Sequence, residues 1–243
     1  MTNKVVDTQW ANEHKFLATL TKDKNTKQSN LGGVEIISPK LGTGHYYKEK
    51  TTKKKIVLHY TVGDCKSAYN TLINQSEKVS VSYLISREGK VIKLFDDCYW
   101  SYHLGAGAVG GNKAMSSESI GIEIANFGPL TRNGYDLHTC YSTEKQPQVY
   151  CDIGDTNHYI YIKEGFRGYQ YFAKPTSEQI EAVMKLTKFL CEKHDIPYCQ
   201  LSENDRYEVF GSATMAKRFS GVCTHINFRE TGKWDIEPYF FNS

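Results

Sequence analysis

The chain has 243 residues, with 30 Lys or Arg against 27 Asp or Glu for a net charge of +3, and this near-balance gives no argument for a nucleic-acid partner. Its length suits one domain with insertions and a substantial core. No apolar run is long enough to span a bilayer, which excludes membrane insertion, and Met1–Trp10 lacks the continuous apolar stretch of a secretory leader, so synthesis in the cytoplasm is expected.

Residues 1–50 read as an N-terminal extension, packed on or linked to a main body at 51–243. Within it Trp10, Phe16, Leu17 and Leu20 recur at roughly helical spacing and predict one marginal helix. Residues 32–38 predict a short edge strand. Lys48, Lys50, Lys53, Lys54 and Lys55 then crowd the approach to the next strand, either as a solvated basic segment or as an attraction for an anionic polymer such as a cell wall. Ile56–Tyr60 predicts an internal strand, with Val57 and His59 on one face and Ile56 and Leu58 on the other. A helical segment carrying Ala68, Tyr69 and Leu72 follows Gly63-Asp64. Residues 82–86 and 90–95 read as a hairpin around Arg87-Glu88-Gly89.

Residues 104–111 form a glycine-rich loop, and 119–126 the next strand. Ile120, Ile122 and Ile124 share one face of it, so Gly121, Glu123 and Ala125 line the other, with room above Glu123 for a ligand. Residues 128–172 are rich in tyrosine and turns and read as an insertion with one strand at 159–162. Thr176 and Gln179 fit a capping box. After it Ile180, Val183, Met184, Thr187, Leu190 and Cys191 define the inward stripe of a helix that ends before Pro197. The seven cysteines, odd in number and without a Cys-x-x-Cys pair, fit reduced thiols, with a Cys140–Cys151 bridge as the alternative.

Chemistry gathers where apolar runs close: at His59, at Glu123, and at His225 with Lys233-Trp234-Asp235. Two imidazoles and a carboxylate can hold one zinc ion with its fourth position open, and a separate carboxylate can work on water there. Taken singly, each residue has an ordinary reading. A histidine closing a strand is often a hydrogen-bonded structural residue, Asp235 can cap a turn, Lys233 can be solvated, and Glu123 can be a plain strand carboxylate. Joint occurrence carries the argument. If residues 233–235 are extended, Lys233 and Asp235 project to one side and Trp234 packs inward. Cys223 would share the face of His225, behind the metal or on it.

The stretches Ile56–Thr61, Val81–Lys90, Tyr102–Gly105, Ser119–Ile124, and His225 with Lys233–Asp235 resemble the zinc-dependent N-acetylmuramoyl-L-alanine amidases of the type 2 class, relatives of the peptidoglycan recognition proteins. They occur in the family's order across roughly residues 55–240. The resemblance implies that His59, His225 and Asp235 hold one zinc per chain, that Glu123 handles the water proton, and that Lys233 faces the developing oxyanion. It also implies substrate contacts at Asn126 and at His103, for which a structural hydrogen bond is the alternative, with a peptidoglycan or muropeptide substrate and a monomer. The implied fold is α/β, a central mixed β-sheet flanked by helices, with the long insertion after the Glu123 strand.

Two departures qualify the resemblance. Val81 stands where some members carry a site tyrosine, so Glu123 is expected to act alone. Ser116 stands where many have asparagine, and Asn112 lies further upstream. A non-catalytic peptidoglycan-binding module is the alternative in another class, but it would be expected to lose a ligand, and all three ligands and Glu123 are present. An intracellular recycling amidase is the other alternative, but the basic segment and the insertion suit a polymer, so an endolysin is the expectation. No implied ligand lies within 128–172, although His138 and His158 are the alternatives for the third; that segment is therefore expected to govern substrate reach and leave the metal untouched.

Overall fold

The protein, seen here as a computed structural model, is described over residues 4–74 and 76–242. In chain order the elements are α1 (Val5–Lys22), β1 (Lys27–Leu31), β2 (Val34–Ser38), β3 (Lys55–Tyr60), α2 (Cys65–Ile73), β4 (Tyr83–Ile85), β5 (Val91–Lys93), α3 (Asn112–Ser117) and β6 (Ser119–Ile124). Then come β7 (Pro129–Asn133), β8 (Asp136–Thr139), β9 (Val149–Asp152), β10 (Tyr159–Phe166), β11 (Tyr169–Ala173), α4 (Ser177–His194), α5 (Ala213–Arg218) and β12 (Gly221–Thr224).

Among the described residues a seven-stranded sheet runs in the order β1-β2-β5-β4-β6-β3-β12. It is mixed: β4, β6, β3 and β12 are successively parallel, whereas β4–β5 and β1–β2 pair antiparallel. Helices cover both faces, which is why every residue of β3 is buried and why its sequence is a nearly continuous apolar run. Ile56, Leu58, Ile120, Ile122 and Ile124 pack under α4. On the other face Leu17 of α1 and Tyr69 of α2 cover Ile37, Leu84 and Ile92, while Val57 packs with Leu104, Met115 and Phe228.

Helix α4 starts where its cap says it should. The Thr176 hydroxyl accepts from the Gln179 amide, and the Gln179 side chain accepts from the Thr176 amide in return. Its buried stripe is Ala182, Val183, Leu186, Leu190 and Cys191, and this corrects one assignment: Met184 is 54% exposed. The stripe advances by three and four residues from Val183, which leaves position 184 turned about 100° away from it.

The segment before residue 51 joins the core more closely than an appended extension. Strand β2 pairs in parallel with β5, and β1 pairs outside it, so the edge strand is β1 and not the segment at 32–38. Of the five crowded lysines, Lys48, Lys50 and Lys54 are exposed but Lys53 and Lys55 are buried. Lys53 Nζ donates to the Ser117 carbonyl at 3.0 Å, and Lys55 Nζ lies 3.5 Å from Glu118.

The insertion is a second sheet of antiparallel pairs, ordered β10-β11-β7-β8-β9. Its Leu130, Leu137, Tyr150 and Ala173 pack with Val6 of α1 and with Phe127. All seven cysteines are free thiols, Cys140 and Cys151 included.

A buried carboxylate ties α4 to the sheet. Asp97, fully buried, accepts from Lys193 Nζ at 2.7 and 2.9 Å, from His194 Nε2 at 3.0 Å, and from the Tyr83 hydroxyl. Burial alone would raise its carboxyl, but the hydrogen bonds from His194, Lys193 and Tyr83 outweigh that and hold it well below the usual carboxylate range. A depressed folded value stabilises above the unfolded pKa of about 4 and is lost as pH falls through the folded one. Asp97→Asn should therefore cost about 3 kcal/mol near pH 7, the low end for a broken buried pair because Lys193 is 39% exposed. The deficit should shrink as pH falls below about 4, as checked by urea unfolding across pH.

Candidate metal centre and active site

The site sits where β3, β6 and β12 end side by side. Parallel pairing places His59 of β3 opposite Glu123 of β6. On the other side β12 runs in register with β3 up to Thr224 opposite Leu58, so the chain turns into His225 just beyond the sheet. Thr224 and Asn227 cap that turn reciprocally, and Asn227 Nδ2 also donates to the carbonyls of Arg206 and Glu208 at 3.0 and 2.8 Å. Asp235 comes back over the turn because its carbonyl accepts from the Ile226 amide at 3.1 Å.

His59 Nδ1 lies 2.8 Å from His225 Nδ1, and one Asp235 oxygen lies 3.1 Å from His225 Nδ1 and 3.4 Å from His59 Nδ1. All three side chains are buried and form a group of metal-ligand type. The surrounding hydrogen bonds assign their protons. His225 Nε2 is 3.2 Å from the Leu104 carbonyl, which can only accept, so the proton is on Nε2 and Nδ1 presents a lone pair.

For His59 the same conclusion follows through a chain. The Ser119 hydroxyl donates to the Met115 carbonyl at 2.7 Å and accepts from His103 Nε2 at 2.9 Å. His103 Nδ1 is left as an acceptor for His59 Nε2–H at 3.0 Å. Both imidazoles therefore turn lone pairs toward a carboxylate oxygen, and three acceptors meet with no proton among them. That donor set of two neutral nitrogens and one anionic oxygen fits a divalent cation.

Electrostatics agree with the geometry. Burial, with His225 alongside, pushes the His59 imidazole down to about 4, so it is neutral at pH 7. Burial and the Asp235 charge push Glu123 up to about 8 against the pull of Lys233, and a dication among the three acceptors would draw it back down. Cys223 stays outside this group. Its thiol lies 3.7 Å from the Ile56 carbonyl, and burial pushes it up to about 12.

Glu123 is partly exposed at the floor of a cleft of about 350 Å³. Thr61, Asp64 and Leu72 wall the cleft on the core side, and Phe127, Tyr141 and Gln148 on the side of the insertion. Lys233 is half-buried on the loop that ends in Asp235. Trp234, between them, packs inward as the alternation requires, against Tyr169 of β11 at 5.7 Å between ring centroids.

Two residues expected to contact substrate lie outside the lining of the cleft. His103 is 9% exposed and both its ring nitrogens are engaged, so it stands behind His59 and not in the cleft. Asn126 is wholly buried; its Nδ2 donates to the Ala173 carbonyl at 3.0 Å and its Oδ1 accepts from the Gly128 amide at 2.6 Å. It joins both ends of the insertion to β6. The room over Gly121 is also filled, since a Cβ there would come within 2.8 Å of Val81 and 3.2 Å of His103. Neither Ser119 nor the Leu104 carbonyl was singled out from the sequence, because a serine opening a strand and a backbone oxygen carry no spacing signal.

The His103 relay predicts a selective defect. His103→Ala removes the acceptor that fixes the His59 ring, and should weaken divalent-metal binding about 10–100-fold. Competition against a chromophoric chelator measures this, and an unchanged affinity would reject the relay.

A family model described as N-acetylmuramoyl-L-alanine amidase matches residues 49–235. No curated protein matches the chain. Among solved structures the chain is similar to the N-acetylmuramyl-L-alanine amidase AmiD from E. coli in complex with the substrate anhydro-N-acetylmuramic acid-L-Ala-D-γ-Glu-L-Lys. That likeness has 20% identity over 71% of this chain and 54% of that one, with a TM-score of 0.39. AmpDh3 from Pseudomonas aeruginosa shares 16% identity over 83% of this chain and 62% of that one, TM-score 0.46. The endolysin LysCS from Clostridium intestinale shares 12% over 81% and 84%, TM-score 0.39. The chain spans about half the length of AmiD.

Proposed function

The chain belongs to the N-acetylmuramoyl-L-alanine amidase family, and on that premise we propose that it is a zinc-dependent hydrolase cutting the amide between the lactyl group of N-acetylmuramic acid and L-alanine in peptidoglycan. The observation that carries this reading is the buried meeting of His59 Nδ1, His225 Nδ1 and an Asp235 oxygen with no proton among them. Zinc, when bound by these three, supplies the Lewis acidity that a sluggish amide needs, lowering the pKa of water to about 7 and polarising a carbonyl.

The chain's own residues do the remaining work. Glu123, beside His59 across the β3–β6 pair, takes the proton of the attacking water and delivers it to the departing amine. Lys233 offers its ammonium to the oxygen on which negative charge develops. His103 and Leu104 hold the two imidazoles in the tautomer that binding requires.

An endolysin-type role on the intact wall is the finer part of the proposal. The cleft at Glu123 is open and walled on one side by the inserted sheet. That shape suits an extended polymer better than a small muropeptide. Comparing turnover on purified walls with turnover on soluble muropeptides tests this; preference for the soluble substrate would favour recycling.

Three variants separate the roles. Metal analysis should find about one zinc per chain, and chelation should abolish a wall digestion that releases N-terminal alanine without new reducing ends. Glu123→Ala should keep the zinc and lower kcat about 10²–10⁴-fold. Lys233→Ala should also keep it, with kcat down about 10²–10³-fold. Asp235→Ala should lose the metal and activity together. Zinc lost from Glu123→Ala but kept by Asp235→Ala would reverse the assignment.

A further inference from the structure

The β10–β11 hairpin of the insertion turns through Arg167-Gly168, and both residues have positive φ, 46° and 90°. A two-residue turn of this kind favours Asn-Gly or Gly-Gly, because a side chain with a Cβ is strained in the left-handed region. An arginine at the first position is a poor choice for the turn itself. Its side chain accounts for it: Arg167 Nη1 donates to the carbonyls of Arg229 and Lys233, each at 2.9 Å, and reaches the Glu230 carbonyl at 3.3 Å.

Those three carbonyls belong to the loop that carries Lys233 and leads into Asp235. The loop has no helix or strand of its own, so little else fixes its path. Next to the clamp, Tyr169 meets Trp234 edge-on. On the far side the Arg229 guanidinium lies against Gly105, where a Cβ would collide with it.

We propose that Arg167 is a positioning residue, which holds the 229–233 backbone so that Lys233 and Asp235 keep their working places; the insertion is thereby part of the scaffold of the site and not only an extension of its reach. This rests on the amidase reading for its catalytic consequence, but the clamp has its own readout. Arg167 touches no reacting atom. It acts through the main chain of Lys233 and of Arg229 and Glu230 ahead of it.

Arg167→Asn is the discriminating variant, because it removes the guanidinium while creating the Asn-Gly pair that the turn prefers. In the metal-free protein, amide hydrogen exchange at residues 229–235 should rise about tenfold or more, with the melting temperature unchanged or raised. Zinc affinity and kcat on purified walls should both fall, with KM little changed. Arg167→Lys, which keeps charge and donors, should restore part of the protection. Arg132→Ala is the control, since that arginine of the same sheet bonds the Gly134 carbonyl of its own turn; it should change none of these quantities. Unchanged exchange at 229–235 in Arg167→Asn overturns the proposal. So does faster exchange spread evenly over the whole inserted sheet, or a raised KM with kcat and zinc affinity intact. A wild-type chain without amidase activity would defeat the functional reading, while the exchange experiment would still decide the clamp.

Discussion

Three hydrogen-bond acceptors, buried together with no proton to share, are the constraint on which the rest of this structure turns. Two neutral imidazoles and a carboxylate repel when desolvated at 2.8–3.4 Å, and the fold bears that cost until a cation relieves it. The surrounding architecture reads as the means of holding them there. Strand β3 is gripped between β6 and β12, His103 and Leu104 fix the ring protons, and the Ile226 amide ties Asp235 back over the turn. Loosening any one of these would blur a geometry that metal binding needs to within fractions of an ångström.

The inserted sheet relates to this centre in two distinct ways. Through Tyr141 and Gln148 it forms one wall of the cleft above Glu123, beside Phe127. Through Arg167 and Tyr169 it grips the loop of Lys233 from behind. An element that appears from its sequence as a long detour between β6 and α4 is thus in contact with both sides of the proposed chemistry. Asn126 makes the connection stiff, since one buried amide hydrogen-bonds to the entry of the insertion at Gly128 and to its exit at Ala173.

Legibility in the sequence follows the range of the interactions. His59, Glu123, His225 and Asp235 were singled out because each closes a short apolar run, and alternation along a strand assigns its face; the cap at Thr176 was legible from its three-residue spacing to Gln179. What alternation cannot tell is how deep a residue lies. His103 and Asn126 were placed in the cleft, and they lie behind it, because a polar side chain looks the same whether it meets a substrate or a buried carbonyl. Met184 failed for a related reason: on a helix with apolar residues at 183, 184, 186 and 190, a single step of rotation decides which ones face inward. Arg167 was invisible until the turn's φ values were known. An Arg-Gly pair between two tyrosine-rich strands was the available signal, since a bulky residue where asparagine or glycine is favoured asks for an explanation.

The pairing of β3 with β12 joins parts of the chain far apart in sequence, and the two histidines it brings together are 166 residues apart. Closing so long a loop gains nothing until most of the intervening chain is already organised, and parallel pairing at such separation is intrinsically slow. Strand β12 also takes its place at the sheet's edge, beside a β3 that β6 can already hold. The three proposed ligands are therefore complete only once β12 has joined β3. A nascent or partly folded chain offers a cation one histidine at a time, at ordinary weak affinity, and the full set exists only once the sheet is complete. A cation held by the three proposed ligands would therefore report that β12 has paired with β3.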